Sequence, residues 1–344
     1  MDENDKIFLE CLKRVSPGTA LRTTINDLLR SDLGALIVFE TPDVAKVIDG
    51  GFNINCRFTP QRLFELCKMD GAIVLTQDQR RIMNANVLLT PDQTIQTNET
   101  GTRHKAGERT SKQLKTLVVA VSERKKKTTL YLDNIKYVLR PSEEVFREIS
   151  NTIQVLEKQR EMFEELTSKL GILEISNLVS VSDVSKLIQR TEIILRHSEI
   201  LKKDFVEAGK EGNLLNFRYK ELIRGVEKKE EDIIRDYAKN SLKKTRIILE
   251  NLTYEGLLDL DSVSRLILEK EPTDPISPRG YRFLSELDLT DKDVSLIVKA
   301  HHNLNEIISE DNNKLDVLLQ NRSAQIKEEI RTLKEQIIEG RIIL

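Results

Sequence analysis

The spacing of apolar residues changes character once along the chain, at Arg140-Pro141-Ser142. Before that point, short β-rich runs alternate with amphipathic segments. The runs are 34–40, 71–76, 85–90, 117–122, 128–133 and 136–139, and segments 6–15 and 19–30 carry helical spacing. Thr59-Pro60 has the form of an N-cap followed by proline at the first helical position, opening a helix through Lys68. Strands interleaved with helices predict an α/β domain. The turn 124–127 lies between two β-rich runs and predicts a hairpin, so the sheet is expected to be mixed.

Beyond Ser142 the residues are mostly Leu, Ile, Glu and Lys, with apolar positions three and four apart. Val184, Leu187, Ile188, Thr191, Ile194 and Leu195 are one such set. Glycines at 171, 209, 212, 225 and 256 punctuate the pattern and predict helices of roughly 12 to 25 residues. Three prolines in Glu271-Pro272-Thr273-Asp274-Pro275-Ile276-Ser277-Pro278 resist helix and predict a stiff linker. The rest is again helical. The expected architecture is an α/β domain with a mixed β-sheet over 1–140, an all-α linker bundle over 141–271 and a small all-α domain over 277–344.

Composition narrows the function. A net charge of −2 provides no global basic field for nucleic acid, and 5% aromatics without Trp disfavour a base-stacking surface. Cys11, Cys56 and Cys67 have no metal-ligand spacing, and their odd number suits a reduced compartment. The start, MDENDKIFLE, lacks a basic and an apolar signal region. No apolar run approaches the ~18 residues that span a bilayer. A cytoplasmic protein with no membrane partner is expected.

Two segments carry chemistry. Asp70 stands before Gly71, Ala72 and the apolar run 73–75, which puts a carboxylate at a strand edge and leaves room for a ligand against the backbone. Alone, an Asp-Gly pair is a plain turn. The second segment is Glu99-Thr100-Gly101-Thr102-Arg103-His104-Lys105-Ala106-Gly107-Glu108-Arg109. A helix start offers unpaired N–H groups and the positive end of its dipole, and Arg103, His104 and Lys105 add cationic groups suited to a polyphosphate. Alone, this too reads as a solvated basic helix start. His197, His301 and His302 have no ligand partners at metal spacing, and 228–232 reads as a solvated helix face.

From Val47 to Arg140 the chain resembles the cyclase domain of bacterial diadenylate cyclases. The resemblance rests on Asp70-Gly71-Ala72 and on Gly101-Thr102-Arg103-His104-Lys105. The run Asp49-Gly50-Gly51-Phe52-Asn53-Ile54-Asn55-Cys56 and the strand Asn86-Val87-Leu88-Leu89 resemble the DNA-integrity-scanning type, as does the three-part layout. This implies condensation of two ATP into cyclic di-AMP with release of pyrophosphate, using Mg²⁺ or Mn²⁺. Asp70 then holds the metal and positions the ribose 3′-hydroxyl. Gly71 and Ala72 approach the nucleotide, and Leu89 contacts adenine through its backbone. Thr102, Arg103, His104, Lys105 and Ala106 lie along the phosphates, and Ser122 lines the site with Arg124 in reach of the triphosphate. Asp70, Arg103 and His104 are the expected catalytic groups. The resemblance also implies a homo-oligomer, an octamer, with active sites shared between cyclase domains, and branched DNA as a partner of the C-terminal domain.

Several positions depart from the family pattern. Lys105 stands where the family usually has Arg, which keeps the charge and loses planar bidentate binding. Ala106-Gly107 replaces Thr-Ala, removing a hydroxyl, and Gly107 costs its helix about 0.5–1 kcal/mol relative to Ala. These changes motivate an alternative: a nucleotide-binding, DNA-structure-sensing protein that retains the fold with little or no catalysis. Ser277–Arg282 resembles the entry to the family's helix-hairpin-helix domain, whose Gly-apolar-Gly turn offers backbone N–H groups to DNA phosphates. Here Leu315-Asp316-Val317-Leu318-Leu319-Gln320-Asn321-Arg322 stands at the matching place without glycine. From 277 to 344 there are ten Lys and Arg against twelve Asp and Glu, with Arg279, Arg282, Arg322, Lys327 and Arg331 as available cations. Both features predict a degenerate hairpin domain with weak DNA binding.

Overall fold

The computed structural model describes residues 3–309, 313–342 and 344. Its two compact units are Met1–Ile149 with Lys202–Asn216, and Ser150–Leu201 with Phe217–Leu344. The first unit opens with helices α1 (Glu3–Arg14) and α2 (Ala20–Arg30), the second capped by the Thr19 hydroxyl, which accepts from the Arg22 N–H. Then come β1 (Ala35–Phe39), β2 (Ile48–Asp49), β3 (Phe52–Arg57) and α3 (Pro60–Leu66). Thr59 caps α3 with Pro60 at its start, as the sequence predicts. Strands β4 (Ala72–Leu75) and β5 (Arg81–Leu89) precede α4 (Thr102–Leu114), and β6 (Leu117–Ser122), β7 (Lys127–Leu132) and β8 (Ile135–Val138) complete the sheet.

The sheet runs β2-β5-β4-β1-β6-β7-β8, with β3 also paired to β5. It is mixed, as expected: β1 and β4 are parallel, with Ile37 opposite Ile73, and the other pairs are antiparallel. Central strands β1 and β4 are buried throughout because both sheet faces are covered. With a side-chain period of two, Ile37, Phe39, Ile73, Leu75, Val119 and Val121 enter a core with Leu21, Ile25 and Leu28 of α2. Their neighbours Leu36, Val38, Ala72, Val74, Val118 and Ala120 enter a second core, against Ala106 and Leu114 of α4.

Two features of this sheet correct the sequence-based expectation. Residues 48–57 hold two strands that it left unassigned, because polar residues interrupt the apolar ones in β3. Strand β5 begins at Arg81 rather than at 85, and it is irregular. Ala72 pairs with Val87 and Val74 with Asn84, so β5 carries an extra residue there, and Asn86 takes a left-handed conformation (φ 53°).

Residues 202–216 return to the first unit through buried charge. Arg140 is 2.5 Å from Glu207, 2.6 Å from Asp204 and 2.5 Å from Glu148, and the Tyr137 hydroxyl donates to Glu207 at 2.7 Å.

The remainder is helical. Helices α5 (Ser142–Ile175) and α6 (Val181–Ala208) have 34 and 28 residues, longer than the glycine spacing predicted. Gly171 does not break α5. It lies where an added Cβ would touch Ile337 and Leu344 at 3.4 Å, so close packing explains the residue. Within the second unit the proline-rich segment is an ordered strap on the start of α6. Val181 and Ser182 N–H donate to the Asp274 and Pro272 carbonyls (3.0 and 2.9 Å), and Ile276 N–H donates to Val179 (3.0 Å).

At the C-terminal end, helices Asn313–Leu319 and Ser323–Ile338 flank Gln320, which is left-handed (φ 46°). Arg282 is not an available cation: it is 3% exposed and ion-paired with buried Glu174 at 2.5 Å. No helix of the described residues is long and apolar enough to cross a membrane.

Candidate functional site

The second core ends in an open cavity of about 650 Å³ at the N-terminus of α4. Three chain segments set its walls. Gly71 and Ala72 form one side, where β4 begins. Gly71 is left-handed (φ 88°), and a Cβ there would sit 2.8 Å from the Val87 carbonyl oxygen. Glycine therefore permits the backbone of this bend to lie directly on β5.

Val87, Leu88 and Leu89 form the apolar wall together with Leu36 of β1. The Leu89 amide has a particular direction. Thr90 N–H donates to the Val47 carbonyl at 2.8 Å, and hydrogen-bonded pairs alternate along an antiparallel ladder. The Ile48–Leu89 pair is thus not itself hydrogen-bonded, and the Leu89 N–H and C=O face the other side of β5. On that side β4 starts only at Ala72, opposite Val87, so no strand stands opposite Leu89.

The third wall is the start of α4: Gly101, Thr102, Arg103, His104 and Ala106. Gly101 is the N-cap and provides no capping side chain, and no acidic residue lies in the first turn. The first N–H groups and the helix dipole are left to a ligand. Arg103 is half-buried against Gly34, where an added Cβ would lie 1.8 Å from its Nη1. No carboxylate pairs with Arg103 among the described residues. Opposite, Ser122, Glu123 and Arg124 close the cavity from the β6–β7 turn. The Ser122 hydroxyl accepts from the Lys125 N–H at 3.3 Å.

Of the residues singled out from sequence, Gly71, Ala72, Leu89, Thr102, Arg103, His104, Ala106, Ser122 and Arg124 line this one cavity. Asp70 and Lys105 do not. Asp70 is exposed in the bend that delivers Gly71, and Lys105 projects from α4 off the cavity wall. Gly107 is buried; a Cβ there would lie 3.0 Å from Leu36 and 3.3 Å from Val118, so glycine lets α4 lie close on the sheet. Glu123, between Ser122 and Arg124, lines the cavity with them, and Leu36, Val87, Leu88 and Gly101 also line it without having been singled out for it. The alternation of β1 was the available signal for Leu36.

His104 has a buried partner. Its Nδ1 is 2.8 Å from the Tyr131 hydroxyl, which donates to Glu99 Oε1 at 2.8 Å, and Lys136 is 2.5 Å from the same oxygen. Burial lowers the His104 pKa below its ordinary value; Glu99 opposes this, while Lys125, Arg103 and Lys136 reinforce it. Burial raises the Glu99 carboxyl, but hydrogen bonds from Lys136 and Tyr131 outweigh it and hold the group below its usual range. Of the other three histidines, two have structural bonds: the Nδ1 atoms of His197 and His301 lie 2.8 and 2.7 Å from backbone carbonyls of Ile193 and Ile297.

An apolar wall with a free strand-edge amide, facing a cationic helix start on an α/β sheet, defines a nucleotide-binding domain. Residues 22–135 match the family described as DisA bacterial checkpoint controller nucleotide-binding, and residues 139–272 match the DisA bacterial checkpoint controller linker region. The chain belongs to the family of the DNA integrity scanning protein DisA. The DisA of Clostridium perfringens (strain SM101 / Type A) is 38% identical over 344 residues, 97% of each chain. That of Symbiobacterium thermophilum is 39% identical over 285 residues, 81% of each chain. Among solved structures, a hypothetical membrane spanning protein from Bacillus cereus matches with TM-score 0.32 and 28% identity, over 36% of this chain and 62% of that one.

Proposed function

We propose that the chain is a diadenylate cyclase, condensing two ATP into cyclic 3′,5′-di-AMP with release of two pyrophosphates. The observation that carries this reading is the meeting, in one cavity, of the Leu89 strand edge and the Thr102–His104 helix start. The Leu89 N–H and C=O complement the N1 acceptor and N6 donor of adenine. The α4 N–H groups, Arg103 and Arg124 take the triphosphate. In each half-reaction a ribose 3′-hydroxyl loses its proton to solvent as its oxygen bonds to the α-phosphorus of the other nucleotide, and the bond from that phosphorus to pyrophosphate breaks. Such transfer depends on in-line placement and charge neutralisation, which the cationic wall provides.

Asp70 is the residue suited to hold a divalent cation. It is exposed beside the cavity and has no ion pair among the described residues. Those residues contain no cluster of three or more His, Cys, Asp or Glu able to cage a metal. One carboxylate completed by substrate phosphates suits Mg²⁺ or Mn²⁺. Held there, such an ion would supply charge screening for the triphosphate and a lower pKa for the attacking hydroxyl.

The product is two-fold symmetric and each ATP attacks the other, so two cyclase domains facing across an isologous contact supply the geometry. A homo-oligomer with shared sites follows, an octamer by family resemblance. We also propose that the C-terminal segment binds branched DNA weakly at most. Val317, Leu318 and Leu319 lie inside a helix, and Arg322, Lys327 and Arg331 face Asp293, Asp316 and Glu335.

One observation favours the alternative of a nucleotide-binding protein with little catalysis. Ala106 lines the cavity where the family pattern has a hydroxyl. Incubating the purified chain with ATP and Mn²⁺ and weighing the product by mass spectrometry separates the two. Cyclic di-AMP supports the cyclase; bound, unconverted ATP supports the alternative.

A further inference from the structure

Behind the cavity lies the row Lys136, Glu99, Tyr131, His104, of which the proposed chemistry uses only His104. Tyr131 is fully buried on β7 beneath α4. Its environment decides where its proton goes. Lys136 and Tyr131 both approach Glu99 Oε1, so this carboxylate is ionised and accepts from both. A phenol has one proton to donate, and here it is committed to Glu99. Toward His104 the Tyr131 oxygen can therefore only accept, and the proton of that 2.8 Å contact sits on His104 Nδ1. Burial and the bond to Glu99 push the Tyr131 phenol far above its ordinary pKa, so it stays protonated.

With Nδ1–H engaged, Nε2 is the imidazole nitrogen left to exchange a proton with the cavity. It makes no hydrogen bond among the described residues. The ring edge carrying it lies on the Gly101 side, with Cδ2 4.0 Å from where a Gly101 Cβ would be. The charged groups facing the ring are Glu99 from the preceding loop, Arg103 from its own helix, Lys125 from the β6–β7 turn and Lys136 from β8. Without a ligand, the neutral ring presents a lone pair at Nε2. A triphosphate needs a donor there, and its charge favours the protonated ring.

We infer that Tyr131, held by Glu99 and Lys136, is a positioning residue that fixes His104 with Nδ1–H turned inward and Nε2 toward the phosphates, so that ATP binds with uptake of a proton at Nε2. The proton comes from solvent or its buffer acid, and no bond of the protein or of ATP is broken. This inference rests on the nucleotide-binding reading of the cavity and adds an atom-level role to it.

Calorimetric titration with ATP in EDTA, near neutral pH and in buffers of differing ionisation enthalpy, counts the protons taken up. The wild-type chain is expected to take up a substantial fraction of one proton. Tyr131→Phe keeps the ring and deletes the acceptor; uptake should fall by more than half and affinity by about 2–10-fold, the range for one hydrogen bond. Glu99→Gln keeps an acceptor for the Tyr131 hydroxyl and should retain more affinity than Glu99→Ala, which reads the same row if Tyr131→Phe does not fold. A purely structural Tyr131 predicts lower stability with an unchanged proton count, and that result overturns the inference while leaving nucleotide binding intact. No ATP binding by the wild-type chain overturns both.

Discussion

Gly71→Ala tests the contact that shapes the cavity. Two costs add at this position. A left-handed residue with a Cβ is strained by about 1–2 kcal/mol. The new Cβ would also lie 2.8 Å from the Val87 carbonyl oxygen and 2.9 Å from the Asn86 carbonyl carbon, both backbone atoms of β5. Backbone cannot swing aside as a flexible side chain can, so overpacking adds about 1–3 kcal/mol. The expected loss is about 2–5 kcal/mol in urea unfolding of the first unit. ATP affinity should weaken as well, because relief of the clash moves Val87–Leu89. Gly50→Ala is the internal control. Gly50 is also left-handed (φ 63°), but an added Cβ meets nothing within 4 Å. It should cost the strain alone and leave ATP affinity unchanged. Equal costs for the two variants would refute the close approach of the Gly71 bend to β5.

Asp70→Asn should cut product formation at least ~100-fold, about 2.7 kcal/mol of transition-state stabilisation, with unfolding unchanged because the side chain is exposed. Near wild-type turnover would remove Asp70 from the mechanism. Glu174→Ala strands Arg282 in a buried site and should cost about 3–5 kcal/mol, read by denaturant unfolding of the second unit. Binding to a four-way junction should be no tighter than ~10⁻⁴–10⁻⁶ M at physiological salt, with little effect on cyclic dinucleotide synthesis. Nanomolar, junction-selective binding in a titration would restore a DNA-scanning role, either because the hairpin tolerates the missing glycines or through avidity among several weak copies. Mass in solution should exceed that of one chain; a strict monomer with full activity at all concentrations would contradict shared sites.

What was legible in the sequence was local. Thr102, Arg103 and His104 are adjacent, and a helix start needs only its own residues to present N–H groups. Asp70-Gly71-Ala72 is likewise contiguous. What was not legible depended on pairing between distant segments. Leu36 reaches the cavity because β1 lies between β4 and β6, and Tyr131 meets His104 because β7 lies beside β6. Strand β3 was missed because Asn53 and Asn55 dilute a pattern that Phe52, Ile54 and Cys56 carry weakly at an exposed position. Gly171 and Gly107 looked like weaknesses in helices. Each is instead a point of close packing, and packing overrides intrinsic propensity. Arg282 looked like a surface cation because nothing near it in sequence reveals Glu174, more than a hundred residues earlier.

The extra residue in β5 has a consequence for how this site can change by mutation. Ala85 points into the core beneath α2, whereas Val87 and Leu89, two and four positions on, point into the core beneath α4. A regular strand would send all three the same way. A second register shift lies further back, opposite Val74–Leu75, but it is the left-handed step at Asn86 that separates Ala85 from Val87 and turns the latter toward the cavity. Deleting Asn86 would shorten β5 by a single position yet turn Val87 and Leu89 away from the cavity. Point substitutions in the wall retune its fit gradually, whereas a one-residue insertion or deletion between Ala85 and Val87 removes it outright.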